Sequence, residues 1–263
     1  MSPVLVHIVL SFVLAGTWIA GSTLIGERLG SRKAGLIANL PSNILISLLF
    51  MALTKGSEYA AAATAGVPIG IAIDTIFLAV FIFILPAGLW KALAASLAAW
   101  AAVAVLVLVI LPPIGFGFSI LVYLVVAAIL FLLVNAGLGT ERPEKKPVSF
   151  SWEIVAIRAF FAGSVVAGAV AIAQVAPPYM TGVLATFPAV LTSTMVILTM
   201  SQGAAFARAA GKIMILSSAN IIIYAACAGI LFPGIGPWLG TLAAFAASFC
   251  FVILLGRLTA RMR

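Results

Sequence analysis

Apolar stretches of about 20 residues follow one another along almost the whole chain, separated by short polar connections. Such a stretch, coiled as a helix rising 1.5 Å per residue, crosses the hydrocarbon core of a bilayer. Hydrocarbon offers no water to satisfy backbone N–H and C=O groups, so a spanning segment must satisfy its own. The chain therefore predicts an all-α, polytopic membrane protein. Composition closes off the alternative: with 65% hydrophobic and 8% charged residues and a mean hydropathy of +1.31, polar surface is too scarce to cover a water-soluble globule. Met1–Pro3 carries no basic residue and the first apolar run continues to Ile25, so a cleavable leader is not expected. The expected location is the inner or plasma membrane.

Nine spans are predicted, at 4–25, 34–54, 58–85, 90–111, 116–136, 153–175, 180–200, 206–231 and 236–256. Basic residues test this count. Alternating loops place Arg28, Arg32, Lys33, Lys91, Arg142, Lys145, Lys146, Arg208, Lys212, Arg257, Arg261 and Arg263 on one side, and only Lys55 on the other. Such a bias marks the cytoplasmic face, which puts the N-terminus outside and the C-terminus in the cytoplasm. Adding or removing one span would scatter the charges over both faces. The net charge of +8 is thus a loop property that orients the chain in a bilayer, and nucleic-acid binding is not expected.

The two halves repeat at an offset of 147 residues. Ala15-Gly16 and Ala20-Gly21 recur as Ala162-Gly163 and Ala167-Gly168; Gly35, Ala38, Pro41 and Gly56 recur as Gly182, Ala185, Pro188 and Gly203. The matches fall on residues that fix backbone geometry. The first copy, 1–112, holds spans 1–4; a linking span lies at 113–136, a cytoplasmic tether at 137–152, and the second copy, 153–263, holds spans 6–9. One odd span between two four-span units inverts the second copy, giving a 4+1+4 architecture about an axis in the membrane plane.

Four groups of residues stand out. Gly16-xxx-Ala20 and Gly163-xxx-Ala167 clear one face of spans 1 and 6, for tight packing between them or for a narrow path lined by backbone. Pro41 and Pro188 each remove a donor within a span and free a carbonyl four residues earlier, at Ile37 and Leu184. Either these spans merely kink, or they form two related gates, with Asn39, Ser42 and Asn43 lining the inner one and Thr186 the outer. Asp74 is the one acidic residue near mid-membrane, where a charge persists only if paired, hydrated or protonated. Pro68 and Gly70 predict an interruption of its helix just before it. Ser217, Ser218 and Asn220 occupy the corresponding stretch of span 8, and together with Asp74 would make a cation or proton site. Asp74 as a hydrogen-bonded helix contact is the alternative.

Arg158, inside span 6, either snorkels to the interface or turns inward toward Asp74 or an anionic substrate. His7 reads as interfacial, Lys55 with Glu58 as a surface pair, and Cys227 and Cys250 as small apolar residues. Trp90, Trp152, Tyr179 and Trp238 sit at span ends, where amphipathic rings favour the interface. There is no second membrane aspartate, phosphate-binding glycine loop, Ser/His pair with sensible geometry or His-x-x-Glu-His run. An enzyme, a metal centre and a cofactor are therefore not expected.

Each half, with Ala34-Gly35-Leu36, Pro41 and Lys55-Gly56 in the first and Gly182-Val183-Leu184, Pro188 and Gln202-Gly203 in the second, resembles the small four-span GlpM-type membrane proteins. That resemblance implies an origin in an antiparallel pair, duplicated and fused through one added span, and supplies no catalytic residues.

The resulting expectation is a secondary transporter of a small solute or ion in a lipid bilayer, coupled to a proton or cation, with homo-oligomers possible. A passive ion channel on the same scaffold is the alternative, and a lipid flippase or membrane scaffold a third class.

Overall fold

The computed structural model describes residues 3–28, 40–137 and 151–261, and among these the regular structure is helical throughout. The helices are α1 (Pro3–Arg28), α2 (Ser42–Lys55), α3 (Ser57–Ala63), α4 (Val67–Ile84), α5 (Leu89–Ile110) and α6 (Phe116–Gly137), followed by α7 (Trp152–Ile172), α8 (Pro178–Leu184), α9 (Ala189–Gln202), α10 (Ala204–Ser217), α11 (Ala219–Ile235) and α12 (Pro237–Arg261). Among the described residues, eight segments are long and apolar enough to cross a membrane: Pro3–Gly21, Ser57–Ala87, Leu89–Ile110, Phe116–Gly137, Val155–Ile172, Pro178–Gln202, Ala204–Ile235 and Pro237–Leu254. The protein is a multi-pass α-helical membrane protein. Of the segment expected at 34–54, residues 34–39 lie outside the described residues; the described part holds α2, 14 residues that reach about 21 Å. Asn39, like most of the tether at 137–152, lies outside the described residues.

At the centre lies α4. Within Ser57–Ala87, 78% of the most apolar window is buried, against 17% for Leu89–Ile110. Around it, α5 turns in a single stripe, Ala92, Ser96, Trp100 and Ala104, and α6 turns in Ser119, Tyr123, Ala127 and Val134. The four-residue spacing keeps each stripe on one helix face, while Val109 and Leu132 on the other faces are exposed. Apolar side chains gain no hydrophobic free energy by leaving lipid for each other, so packing and hydrogen bonds hold these helices together. Close approach of backbones follows. A Cβ on Gly66 would collide with the Tyr179 carbonyl, and one on Gly182 with the Ala63 carbonyl, so α8 crosses the α3–α4 junction backbone to backbone.

Three spans are composite. The segment Ser57–Ala87 is broken by a 3₁₀ turn at Thr64–Gly66, not at Pro68–Gly70 as expected. Pro68 is the second residue of α4, where its missing N–H would have had no intrahelical partner, so it starts the helix rather than breaking it. Gly70 lies inside continuous helix and admits the Thr186 side chain against the backbone. The segment Ala204–Ile235 pauses at Ser218. In Pro178–Gln202 the helix stops completely between Leu184 and Ala189. There the Leu184 carbonyl, expected to be freed by Pro188, accepts from the Phe187 amide at 3.1 Å as the chain tightens.

Residues at the 147 offset adopt matching backbone forms. Pro41 (φ −77°, ψ 54°) and Pro188 (φ −79°, ψ 44°) each centre an inverse γ-turn, closed by Ser42 N–H to Leu40 O at 2.7 Å and Ala189 N–H to Phe187 O at 2.8 Å. Each turn opens a 14-residue helix, and these end at Gly56 (φ 93°, ψ 159°) and Gly203 (φ 94°, ψ 167°), a region accessible essentially to glycine alone. Helices α1 and α7 pack closely: a Cβ on Gly16 would lie 3.1 Å from the Ala159 carbonyl, and one on Gly163 would lie 2.7 Å from the Phe12 carbonyl. The small residues at 16 and 163 thus permit a close approach of these two helices.

Candidate functional site

The broken helices meet around a cavity of about 90 Å³, room for about three water molecules. The start of α2 brings Pro41, Ser42 and Asn43; α4 brings Asp74 and Thr75; the α8–α9 break brings Ala185, Thr186, Phe187 and Pro188; and the α10–α11 junction brings Ser217, Ser218 and Asn220. Nine residues singled out in the sequence thus share one chamber. The two proline turns, assigned above to gates at opposite ends, open onto this same space, because both 14-residue helices begin beside it.

Asp74 is 4% exposed, and Trp100 Nε1 donates to its Oδ1 at 2.8 Å. The Trp100 ring stands edge-on to Phe187, with centroids 5.0 Å apart and planes at 78°. Trp100 is not among the residues that stand out in the sequence, where the notable aromatics are those at span ends. The signal available is its place mid-span in the stripe Ala92, Ser96, Trp100 and Ala104. Tyr123 escapes notice for the same reason; its hydroxyl lies 3.0 Å from Ser218 Oγ.

Four of the cavity's hydroxyls turn their hydrogens inward to their own helices. Thr75 donates to Ala72 O at 2.7 Å, Thr186 to Val183 O at 2.8 Å, Ser217 to Met214 O at 3.3 Å and Ser218 to Ile215 O at 2.8 Å. With Ser218 donating to Ile215, Tyr123 is the donor to Ser218. Such back-bonding to i−3 carbonyls leaves hydroxyl lone pairs available. Two backbone acceptors are also open: among the described residues, no hydrogen bond reaches the carbonyls of Ala185 and Thr186, although these residues are only 0% and 7% exposed. Asn43 Oδ1 is buried and has no partner among the described residues either. On the donor side, neither proline turn has a side-chain cap, and the amides of Asn43, Ile44, Val190 and Leu191 reach no described acceptor.

Other expectations fall elsewhere. Arg158 does not line the cavity: its Nη2 donates to Thr194 Oγ1 at 3.1 Å, tying α7 to α9, and the described side-chain donor to Asp74 is Trp100. Neither Pro68 nor Gly70 lines the cavity. His7 Nδ1 donates to its own helix at Pro3 O, 2.8 Å away. Lys55 reaches not Glu58 but the Gln174 carbonyl at 3.5 Å, with its ammonium 5.6 Å from the Tyr59 ring centroid. Beside it the Tyr59 hydroxyl donates to Ala176 O at 2.8 Å, so the rim near residue 55 is tied to the α7–α8 loop. Lys212 reaches Asn135 Oδ1 and lies 5.5 Å from the Phe131 ring centroid. Both cysteines are free.

Residues 8–112 match a family described as a protein of unknown function (DUF3147). No curated protein and no solved structure matches the chain.

Proposed function

We propose that the protein is a secondary transporter in which two inverted copies share one central site and expose it to each side of the membrane in turn. A small polar solute would occupy the cavity, with Asp74 carrying the coupling proton or cation. The observation that carries this reading is the convergence of Asp74, the proline turn that opens α2, the α8–α9 break with its own proline turn, and the α10–α11 junction on a single cavity. Irregular backbone at membrane depth is tolerated where it lines a protein-enclosed cavity, and transporter sites are commonly built from such broken helices.

Inversion is supported by the contacts of α1 with α7. At the 147 offset, Ala159 is the counterpart of Phe12 and Gly163 of Gly16. Gly16 approaches Ala159 and Phe12 approaches Gly163, so a step up one helix is a step down the other. Reciprocal contacts of that kind belong to helices run in opposite directions about a two-fold axis perpendicular to both. A 4+1+4 chain of nine spans, N-terminus outside and C-terminus cytoplasmic, produces that relation, with Phe116–Gly137 as the odd span. The family match stops at residue 112, where the first four-span unit ends.

The test is access. On a background lacking Cys227 and Cys250, Thr186→Cys should react with a membrane-impermeant thiol reagent from either face of sealed vesicles. Crosslinking position 59 to position 176 should abolish reaction from the face bearing Lys55 and preserve it from the other. Reaction from one face only removes alternating access, and gradient-independent conduction far above turnover rates makes the protein a channel.

A further inference from the structure

We propose that the cavity binds a monovalent alkali cation, held by the Asp74 carboxylate, the carbonyls of Ala185 and Thr186, and hydroxyl oxygens of Thr75 and Ser217. This deepens the transporter reading and rests on it for the cation's coupling role; binding itself is measurable without transport.

The inference comes from comparing what a proton and a metal ion would each leave unsatisfied. A proton on Asp74 removes its charge and nothing more. The carbonyls of Ala185 and Thr186, which no described protein donor reaches, would then depend on cavity water alone. The hydroxyls of Thr75, Thr186, Ser217 and Ser218 do not relieve them, because each already donates to its own helix. These elements are short of donors and rich in oxygen lone pairs. A hard cation serves all of them at once, since it takes carboxylate, carbonyl and hydroxyl oxygens together. A cavity of about 90 Å³ admits such an ion with some of its water. One carboxylate balances one positive charge, which favours a monovalent ion over a divalent one.

The open amides of Asn43, Ile44, Val190 and Leu191 belong to α2 and α9, whereas the carboxylate and open carbonyls belong to α4 and the α8–α9 break. The chamber therefore offers open donors as well as open acceptors, the donors being left for the solute and the carboxylate and open carbonyls assigned to the ion. Trp100 stands behind the carboxylate: its N–H fixes one oxygen and leaves the other for the ion. A bound metal whose ligands are themselves hydrogen-bonded keeps its geometry through such outer contacts.

The test uses the purified full-length protein in nanodiscs, with NaCl or KCl replaced stepwise by N-methylglucamine chloride at constant ionic strength and pH. Saturating Na⁺ or K⁺ should raise Tm by about 5 °C over N-methylglucamine. The rise should vanish in Asp74→Asn, and Thr75→Val should move its midpoint to about tenfold higher cation concentration. The isosteric Thr75→Val keeps the question open to measurement if Asp74→Asn does not fold. No alkali-dependent rise in the wild type, or one unchanged in both variants, overturns the site. A rise without cation-driven flux in proteoliposomes keeps the site and removes the transporter reading. Proton-driven flux without any alkali-dependent rise does the reverse and overturns the present inference.

Discussion

The indole nitrogen of Trp100 lies 2.8 Å from Asp74 Oδ1, donating across from α5 to α4, and makes the buried carboxylate a fixed feature rather than a mobile one. The same ring bears on Phe187, immediately before Pro188. One side chain thus touches both the charge-bearing group and the interrupted helix.

Trp100→Phe keeps the ring and deletes the N–H. A hydrogen bond to a charged group is worth roughly 1.5–3 kcal/mol, so a fall in thermal stability is expected, visible as a lower Tm in nanodiscs. Trp100→Ala also removes the edge-on contact with Phe187 and opens a void, and should cost about 3–5 kcal/mol. Equal Tm values for the two variants would mean the ring contact contributes nothing.

Asp74→Asn retains an acceptor for Trp100 Nε1 and removes the charge. The protein should reach the membrane, run as a single species in detergent and show coupled uptake reduced at least 100-fold in proteoliposomes. Undiminished uptake in this variant takes Asp74 out of the mechanism.

Gly56 and Gly203 share a backbone region closed to side chains, although a methyl group at either position would meet no neighbour within 4 Å. Replacing either with Ala should therefore destabilise by similar amounts, about 1–3 kcal/mol each, through backbone strain alone. Gly117→Ala, in open space inside α6 and at ordinary φ, is the control and should leave Tm unchanged or slightly raised. Unequal losses at 56 and 203 would argue against equivalent roles for the two positions.

The proposed orientation is checked with single cysteines. Lys55→Cys should label in intact cells with an impermeant maleimide, and Lys91→Cys and Arg257→Cys only after the membrane is opened. Labelling of all three from outside would undo the charge-based orientation.

Span positions are readable in the chain because hydrocarbon thickness imposes a length on every crossing, and the prolines at 41 and 188 are readable because a missing donor must interrupt a helix. Asp74, Ser217, Ser218 and Asn220 are recognisable since polar groups at that depth need company. What the sequence hides is direction. Pro68 looks the same as Pro188 in the chain, yet one starts a helix and the other ends a break, depending on whether the preceding turn has already stopped. Trp100 needs a neighbouring helix to be identified as the carboxylate's partner, and Lys55 chooses a carbonyl on a distant loop over Glu58 nearby. Long-range choices of this kind depend on packing that no local spacing encodes.

Where α8 crosses the α3–α4 junction, Gly66 and Gly182 bring main chain against main chain. Interdigitated side chains resist turning, because each rotation must lift ridges out of grooves; bare backbones at a crossing have few such teeth. In the proposed transporter the crossing would serve as a fulcrum, about which the two arms swing while their separation stays fixed. Displacement grows with distance from a fulcrum, so the largest excursions fall at the rims, where Tyr59 and Lys55 fasten the α7–α8 loop with bonds weak enough to be made and broken thermally.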